Sequence, residues 1–74
     1  MRRIDDGGAA VALAGRPHGW RDVARIIEDE YCVNVSRHGL VFLPVSGCLP
    51  VDEVEARIAA ASSAFANDLL DLQD

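Results

Sequence analysis

Residues 20–45 read WRDVARIIEDEYCVNVSRHGLVFLPV, and the spacing of their apolar side chains changes near the middle. Over the first twelve residues, apolar side chains recur every three or four positions, which is the spacing of one face of an α-helix. Later, Val33 and Val35 alternate with polar neighbours and a continuous apolar run follows, as is typical of β-strands. The stretch therefore predicts a helix over residues 20–31 and then two strands.

The segment between the two predicted strands has the composition of a tight turn. Residues 36–39 read SRHG, and Gly39 can adopt the positive φ that many tight turns require. A turn of this length between two apolar runs indicates a β-hairpin. Pro44 has no amide hydrogen to donate, so it belongs at a sheet edge or near the end of the second strand.

A long amphipathic helix is predicted to follow the hairpin and to run to about residue 72. Asp52 is its predicted N-cap, with Glu55 three positions further on as in a capping box. At about 1.5 Å per residue, such a helix measures about 30 Å, longer than the rest of so small a domain can cover. We therefore expect part of its apolar seam to remain open to a partner. This C-terminal seam consists of Val54, Ile58, Ala61, Phe65, Leu69 and Leu72.

The N-terminal part completes the predicted order of elements. Residues 1–8 end in two aspartates and two glycines and are predicted to be a flexible start. Residues 9–13, AAVAL, are predicted to form a short strand, and the glycine-rich segment after them a loop. The predicted fold class is α+β, with a β-α-β-β core over residues 9–50 and an acidic, partner-binding amphipathic helix over residues 51–74.

Chain length and cysteine content limit how such a domain can be stabilised. A chain of 74 residues buries on folding only about 60% of the surface that it exposes when unfolded, so we expect a single copy to be only marginally stable. Cys32, Cys48 and the two histidines lack the close spacing of a zinc site. No stretch resembles a signal peptide or a membrane span, so we expect a cytoplasmic protein with reduced thiols and no cofactor. Formation of a homodimer is the stabilising device that remains.

The sequence contains no convincing catalytic motif. Ser36, His38 and Asp52 could supply a nucleophile, a base and an acid, but all three lie in or beside predicted turns, and a short chain offers little cavity to exclude water. The glycines do not form the G-x-G-x-x-G pattern of a nucleotide-binding loop. We therefore expect a protein that is not an enzyme.

Charge is divided unequally along the chain. Residues 1–40 hold six arginines and six acids, whereas residues 41–74 hold one arginine and six acids, so the net charge of −5 falls entirely in the second part. Basic groups at a helix start and a turn, if gathered on one face, would bind phosphates. The alternative is an ordinary solvated surface of mixed charge. The candidate DNA-binding residues are Arg16, Arg21, Arg25, Arg37 and His38.

The predicted C-terminal helix has two interpretations. It is either a core helix of its own domain or a helix that lies in a groove on a partner protein. In the second case a basic partner would associate faster, because the rim of the contact is acidic. The candidate partner-binding residues are Val54, Ile58, Phe65, Leu69 and Leu72, with Asp68 and Asp71 on the rim.

The hairpin resembles a stretch of the Phd/YefM family of type II antitoxins. Residues 33–39, VNVSRHG, and residues 41–46, VFLPVS, are similar to the family pattern V-x-I-T-R-x-G … V-A-V-L-V-S. The preceding helix, the chain length and the acidic C-terminal helix agree with the family as well. The resemblance implies a homodimer whose N-terminal part binds operator DNA and whose C-terminal helix neutralises a toxin. It puts Arg37 in the place of the family's turn arginine and Arg16 near an expected basic position.

The function expected from the sequence is therefore that of an antitoxin and transcriptional autoregulator, with operator DNA and a basic toxin as its partners. The alternative is a small non-catalytic inhibitor or adaptor of the mobile-element or phage type, with no DNA-binding role. The net charge of −5 favours this alternative, because most duplex-binding domains are basic. A winged-helix regulator is a weaker possibility, since residues 32–36 are too short and too β-branched for a recognition helix.

Overall fold

A computed structural model describes residues 3–45 and 49–72 of the chain. The elements are, in chain order, β1 (Arg3–Asp5), α1 (Ala9–Ala14), α2 (Trp20–Tyr31), β2 (Asn34–Val35), β3 (Val41–Pro44) and α3 (Val51–Leu72). The strands form one antiparallel sheet in the order β1-β3-β2. The prediction of a small α+β fold with a long C-terminal helix is therefore confirmed. Residues 1–2 of the predicted flexible start, residues 46–48 before the last helix, and residues 73–74 of the predicted C-terminal segment lie outside the described residues.

The predicted helix and hairpin are both present. α2 has the predicted bounds and buries Ala24 and Ile27. In the turn, the Ser36 N–H donates to the Leu40 carbonyl oxygen at 2.8 Å, and Gly39 has a φ of 90°. Pro44 is the last residue of β3, near the strand end as predicted. The hairpin therefore forms as its turn composition and apolar runs indicate.

The predicted strand over residues 9–13 is wrong, because these residues belong to helix α1. Alanine has the highest helix propensity of all residues, and AAVAL contains three alanines. The turn before the helix also stabilises the beginning of α1, because the Asp6 carboxylate accepts the Gly8 N–H at 2.9 Å and the Ala10 N–H at 3.4 Å. The order of elements is therefore β-α-α-β-β-α instead of β-α-β-β-α.

The predicted flexible start instead contains a strand. β1 pairs antiparallel with β3, with Ile4 opposite Leu43. The Arg3 guanidinium lies 4.7 Å from the centroid of the Phe42 ring, which adds a cation–π contact to the pairing. A three-residue strand with one aliphatic side chain has no periodicity that a sequence pattern can reveal.

Helix α3 has the predicted length but begins differently. The Pro50 carbonyl oxygen accepts the N–H groups of Glu53 and Val54, both at 3.1 Å, so the helix begins at Val51. Asp52 therefore lies within the first turn and is not the N-cap that the sequence predicted. Its carboxylate still lies near the positive end of the helix dipole, where an acid is favourable.

The C-terminal seam packs inside its own domain. Five of its side chains are between 0 and 4% exposed, whereas Leu72 is 41% exposed. α3 contacts α1, α2, β1 and β3, and so forms the centre of the core. The expectation that part of the seam remains open to a partner therefore applies to Leu72, whereas α1 supplies a helical surface, where the sequence predicted a strand, that helps to cover the rest. The buried members are Val54, Ile58, Ala61, Phe65 and Leu69.

Candidate nucleic-acid interface

Three of the predicted DNA-binding arginines border one cleft between α2 and the β2–β3 turn. Arg21 and Arg25 line it from α2, and Arg37 lines it from the turn. All three side chains are exposed, and the cleft has a volume of about 260 Å³. The fold thus brings together groups that lie up to 16 positions apart in the sequence.

Local structure explains why these arginines meet. Arg21 and Arg25 are four residues apart, so they lie on the same side of α2 one turn from each other. Arg37 is held by the turn, in which the Ser36 Oγ accepts the N–H groups of His38 at 3.2 Å and Leu40 at 3.0 Å. Side-chain to backbone hydrogen bonds of this type stabilise turns. The cleft therefore has one helical wall and one turn wall.

Glu28 joins the two walls. One of its carboxylate oxygens accepts the Val35 N–H at 3.0 Å, which links α2 to the start of the hairpin. Glu28 also lines the cleft, so its negative charge offsets part of the arginine charge there. Three guanidinium groups against one carboxylate still leave the cleft positive, although the chain as a whole is acidic.

A neighbouring depression extends the positive surface to Arg16. Residues 16–22 line it, and it shares Trp20 and Arg21 with the first cleft. The Arg21 guanidinium carbon lies 5.4 Å from the centroid of the Trp20 ring, which is within cation–π distance. We call the surface formed by Arg16, Arg21, Arg25 and Arg37 the arginine face.

His38 and Asp22 limit the extent of this face. His38 is exposed at the turn but does not line either depression, so it lies beside the arginine face and outside it. Asp22 lines the depression of Arg16 and reduces its positive charge. The arginine face is therefore strongest at the cleft between α2 and the turn.

The predicted partner-binding residues lie in two environments. Val54, Phe65 and Leu69 are enclosed in the core and cannot touch a partner while α3 is packed on its domain. Leu72 and Asp71 are exposed, and Asp68 is half-buried. Contact through the whole set would require α3 to separate from the domain. Ile58 differs from the others, because it is 4% exposed at the floor of a groove.

This groove lies between α1 and α3 and has a volume of about 580 Å³. It was not predicted from the sequence, because residues 9–13 read as a strand and no helix pair was expected there. Leu13, an apolar residue, is 71% exposed at the edge of the groove. We call it the α1–α3 groove. Its lining consists of Ile4, Asp5, Asp6, Ala9, Ala10, Leu13, Glu55, Ile58, Ala59, Ser62, Ser63 and Ala66.

The residues considered for chemistry have other roles in the structure. The Ser36 Oγ already accepts two backbone N–H groups in the hairpin turn. Cys32 is exposed at the C-terminal end of α2 with a φ of 55°, while Cys48 lies outside the described residues. Within residues 3–45 and 49–72, no group of three or more His, Cys, Asp and Glu side chains could hold a metal ion.

In the described part of the chain, every helix is too short or too polar to cross a membrane. No family model, curated protein or solved structure matches this sequence. The resemblance to the Phd/YefM antitoxins therefore stays a prediction, and function has to be argued from the arginine face and the α1–α3 groove.

Proposed function

We propose that the protein is a non-catalytic regulator of the antitoxin type. Two copies bind operator DNA through their arginine faces, and a separate surface of each copy binds and inhibits a protein partner. The observation that carries the DNA-binding half is the cleft in which Arg21 and Arg25 of α2 meet Arg37 of the hairpin turn.

Arginine chemistry supports a phosphate partner for this cleft. A guanidinium group is planar, always charged and able to donate two parallel hydrogen bonds to a phosphate. Arg21 and Arg25 present two such groups about one helical turn apart, and Arg37 adds a third from the opposite wall. Contacts of this kind orient a protein on the duplex and carry no sequence information by themselves.

The number of arginines favours a dimer as the binding species. One protomer offers four guanidinium groups on its arginine face, and two protomers offer eight. Proteins that make about 6–10 phosphate contacts bind DNA with a steep dependence on salt. A single protomer falls below that range. A symmetric dimer would also match a palindromic operator.

The acidic net charge restricts where DNA can approach. The net charge of −5 belongs to residues 41–74, which include all of α3. DNA would be repelled from α3 and attracted to the cleft that Arg21, Arg25 and Arg37 line, so the two surfaces are electrostatically separate. The acidic side remains for a basic protein partner.

Titration of the purified protein against DNA from immediately upstream of its own gene tests this proposal. We expect a gel shift with that DNA, and a loss of affinity of about 10³–10⁵ between 50 and 200 mM salt if about 6–10 phosphates are contacted. DNA of the same length and scrambled sequence is the control for specificity. Absence of a shift at the lower salt concentration would contradict DNA binding.

A protein-binding inhibitor with no DNA-binding role is the second candidate function. The α1–α3 groove supports it, because an apolar groove with an exposed leucine at its edge is a common feature of protein-binding surfaces. The net charge of −5 supports it as well. If the protein gives no gel shift but does bind a helical peptide at the α1–α3 groove, this function would be favoured over the first.

A further inference from the structure

The α1–α3 groove is an open concave surface with a volume of about 580 Å³. Its lining consists mainly of alanine and serine, whose side chains are small enough for another backbone to approach closely, and Ile58 adds apolar surface. Leu13 stands at its edge with 71% of its surface exposed. An open apolar groove bordered by an exposed leucine fits a row of apolar side chains better than a single small molecule.

Among the described residues, the charged side chains that line the groove are all acidic. They are Asp5, Asp6 and Glu55, and none of the other described lining residues is an arginine or histidine. Asp6 is engaged, because it accepts four hydrogen bonds within the domain. Asp5 and Glu55 are exposed, so their carboxylates face solvent at the border of the groove. A partner that fills the groove would therefore be stabilised by basic side chains beside its apolar ones.

A second copy of this chain suits the groove less well. In a twofold-symmetric contact the same patch faces itself, so Asp5 and Glu55 of one copy would approach those of the other. Like charges in an interface are unfavourable. The arginines of the arginine face line the clefts beside α2, which share no residue with the α1–α3 groove.

We infer that the α1–α3 groove binds a basic amphipathic helix of a protein partner. Apolar side chains at spacings of three and four on that helix pack against Leu13 and Ala59, and Lys or Arg residues beside them pair with Asp5 and Glu55. This inference rests on the partner-binding half of the proposed function and is independent of its DNA-binding half. The partner contact then lies on this groove and not on the side of α3 that packs into the core.

The test uses a pair of synthetic helical peptides of about 18 residues, or about five turns. One carries Leu on a single face and Lys elsewhere, and the other has Glu in place of every Lys. Each is labelled with fluorescein and titrated with the full-length protein by fluorescence anisotropy. We expect the Lys peptide to bind and the Glu peptide not to bind, because the border of the groove is acidic.

Two neighbouring substitutions separate groove binding from general attraction to an acidic protein. Ala59 and Ala60 are both exposed on α3, but Ala59 lines the groove and Ala60 lines a different depression. A59W should weaken binding of the Lys peptide about tenfold by filling the groove, and A60W should change it less than about twofold. Glu55→Lys should weaken binding at low salt and have a smaller effect at high salt, because surface charges are screened.

Equal effects of A59W and A60W, or failure of the Lys peptide to bind the folded wild-type protein, would overturn the inference. Sedimentation velocity of the same proteins tests whether the groove instead holds a second copy of the chain. If A59W alone converts a dimer to a monomer, the groove holds a second copy and the inference is wrong. Operator binding is measured in parallel, so a failed DNA titration and a failed peptide titration can be told apart. Circular dichroism confirms that each variant is folded.

Discussion

At the scale of single residues, Asp6 contributes more to the fold than its position near the N-terminus suggests. One of its oxygens accepts the N–H groups of Gly8 and of Val41, at 2.9 and 3.2 Å. The other accepts the Ser62 hydroxyl at 2.7 Å and the N–H of Ala10 at 3.4 Å. Asp6 therefore links the start of α1, strand β3 and the middle of α3. Hydrogen bonds to a charged acceptor are stronger than those between neutral groups.

Replacing Asp6 with alanine should lower the free energy of unfolding by about 2–4 kcal/mol, because Ser62 is buried and would lose its acceptor. Urea denaturation followed by circular dichroism measures this change. Asp5→Ala is the matched control: Asp5 is exposed and accepts one N–H, from Gly7 at 2.8 Å, so it should cost less than about 1 kcal/mol. Equal losses for the two variants would contradict the role assigned to Asp6.

At the scale of elements, α1 and the hairpin turn depend on each other. Gly39 has a φ of 90°, and a Cβ built on it would overlap the Val11 side chain of α1. Val11 is half-buried and packs against the core. The turn thus needs glycine for its conformation and also for the close approach of α1.

Gly39→Ala should therefore destabilise the protein by at least about 2 kcal/mol, since it combines backbone strain with overpacking. Gly19→Ala separates the two causes, because Gly19 has a similar φ of 88° but a Cβ there would meet nothing within 4 Å. We expect this control to cost about 1–2 kcal/mol from strain alone. Thermal and urea denaturation of both variants measure the difference. Costs that do not differ would show that Val11 imposes no constraint on the turn.

The elements that the sequence could predict are those with a long or clear pattern. α2 and α3 have apolar side chains at helical spacing over several turns, and the hairpin has a four-residue turn between two apolar runs. β1 and α1 are three and six residues long, too short for periodicity to distinguish a strand from a helix. Their structure is set by tertiary contacts, namely pairing of β1 with β3 and packing of α1 on α3.

The same difference in information separates the two candidate sites. The arginine cleft could be predicted, because it needs only a helix that carries Arg21 and Arg25 and an adjacent turn that carries Arg37. The α1–α3 groove could not, since it exists only between two helices, and the shorter of them is too short for its sequence pattern to distinguish a helix from a strand. The sequence left open whether the C-terminal seam is buried in its own domain for the same reason: α1 helps to cover α3, and the sequence carries little indication that it does so.

At the scale of the whole molecule, the two surfaces have opposite charge and share no lining residue. The arginine face lies beside α2 and the turn, and the acidic α1–α3 groove lies between the other two helices. A protein with this arrangement could bind an anionic and a cationic partner at the same time. This separation is what the proposed function requires of a regulator that contacts both DNA and a protein.

The salt dependence of operator binding, measured for two arginine variants, tests the proposed role of the arginine face most directly. Arg37 belongs to the arginine face, whereas Arg57 lies on α3 in a depression that also contains Glu30 and Glu53. Arg37→Ala should reduce the slope of log K against log salt by about 0.9 for each phosphate that the variant no longer neutralises. Arg57→Ala should leave the slope unchanged. An unchanged slope for Arg37→Ala, or equal reductions for both variants, would show that DNA does not bind at the arginine face.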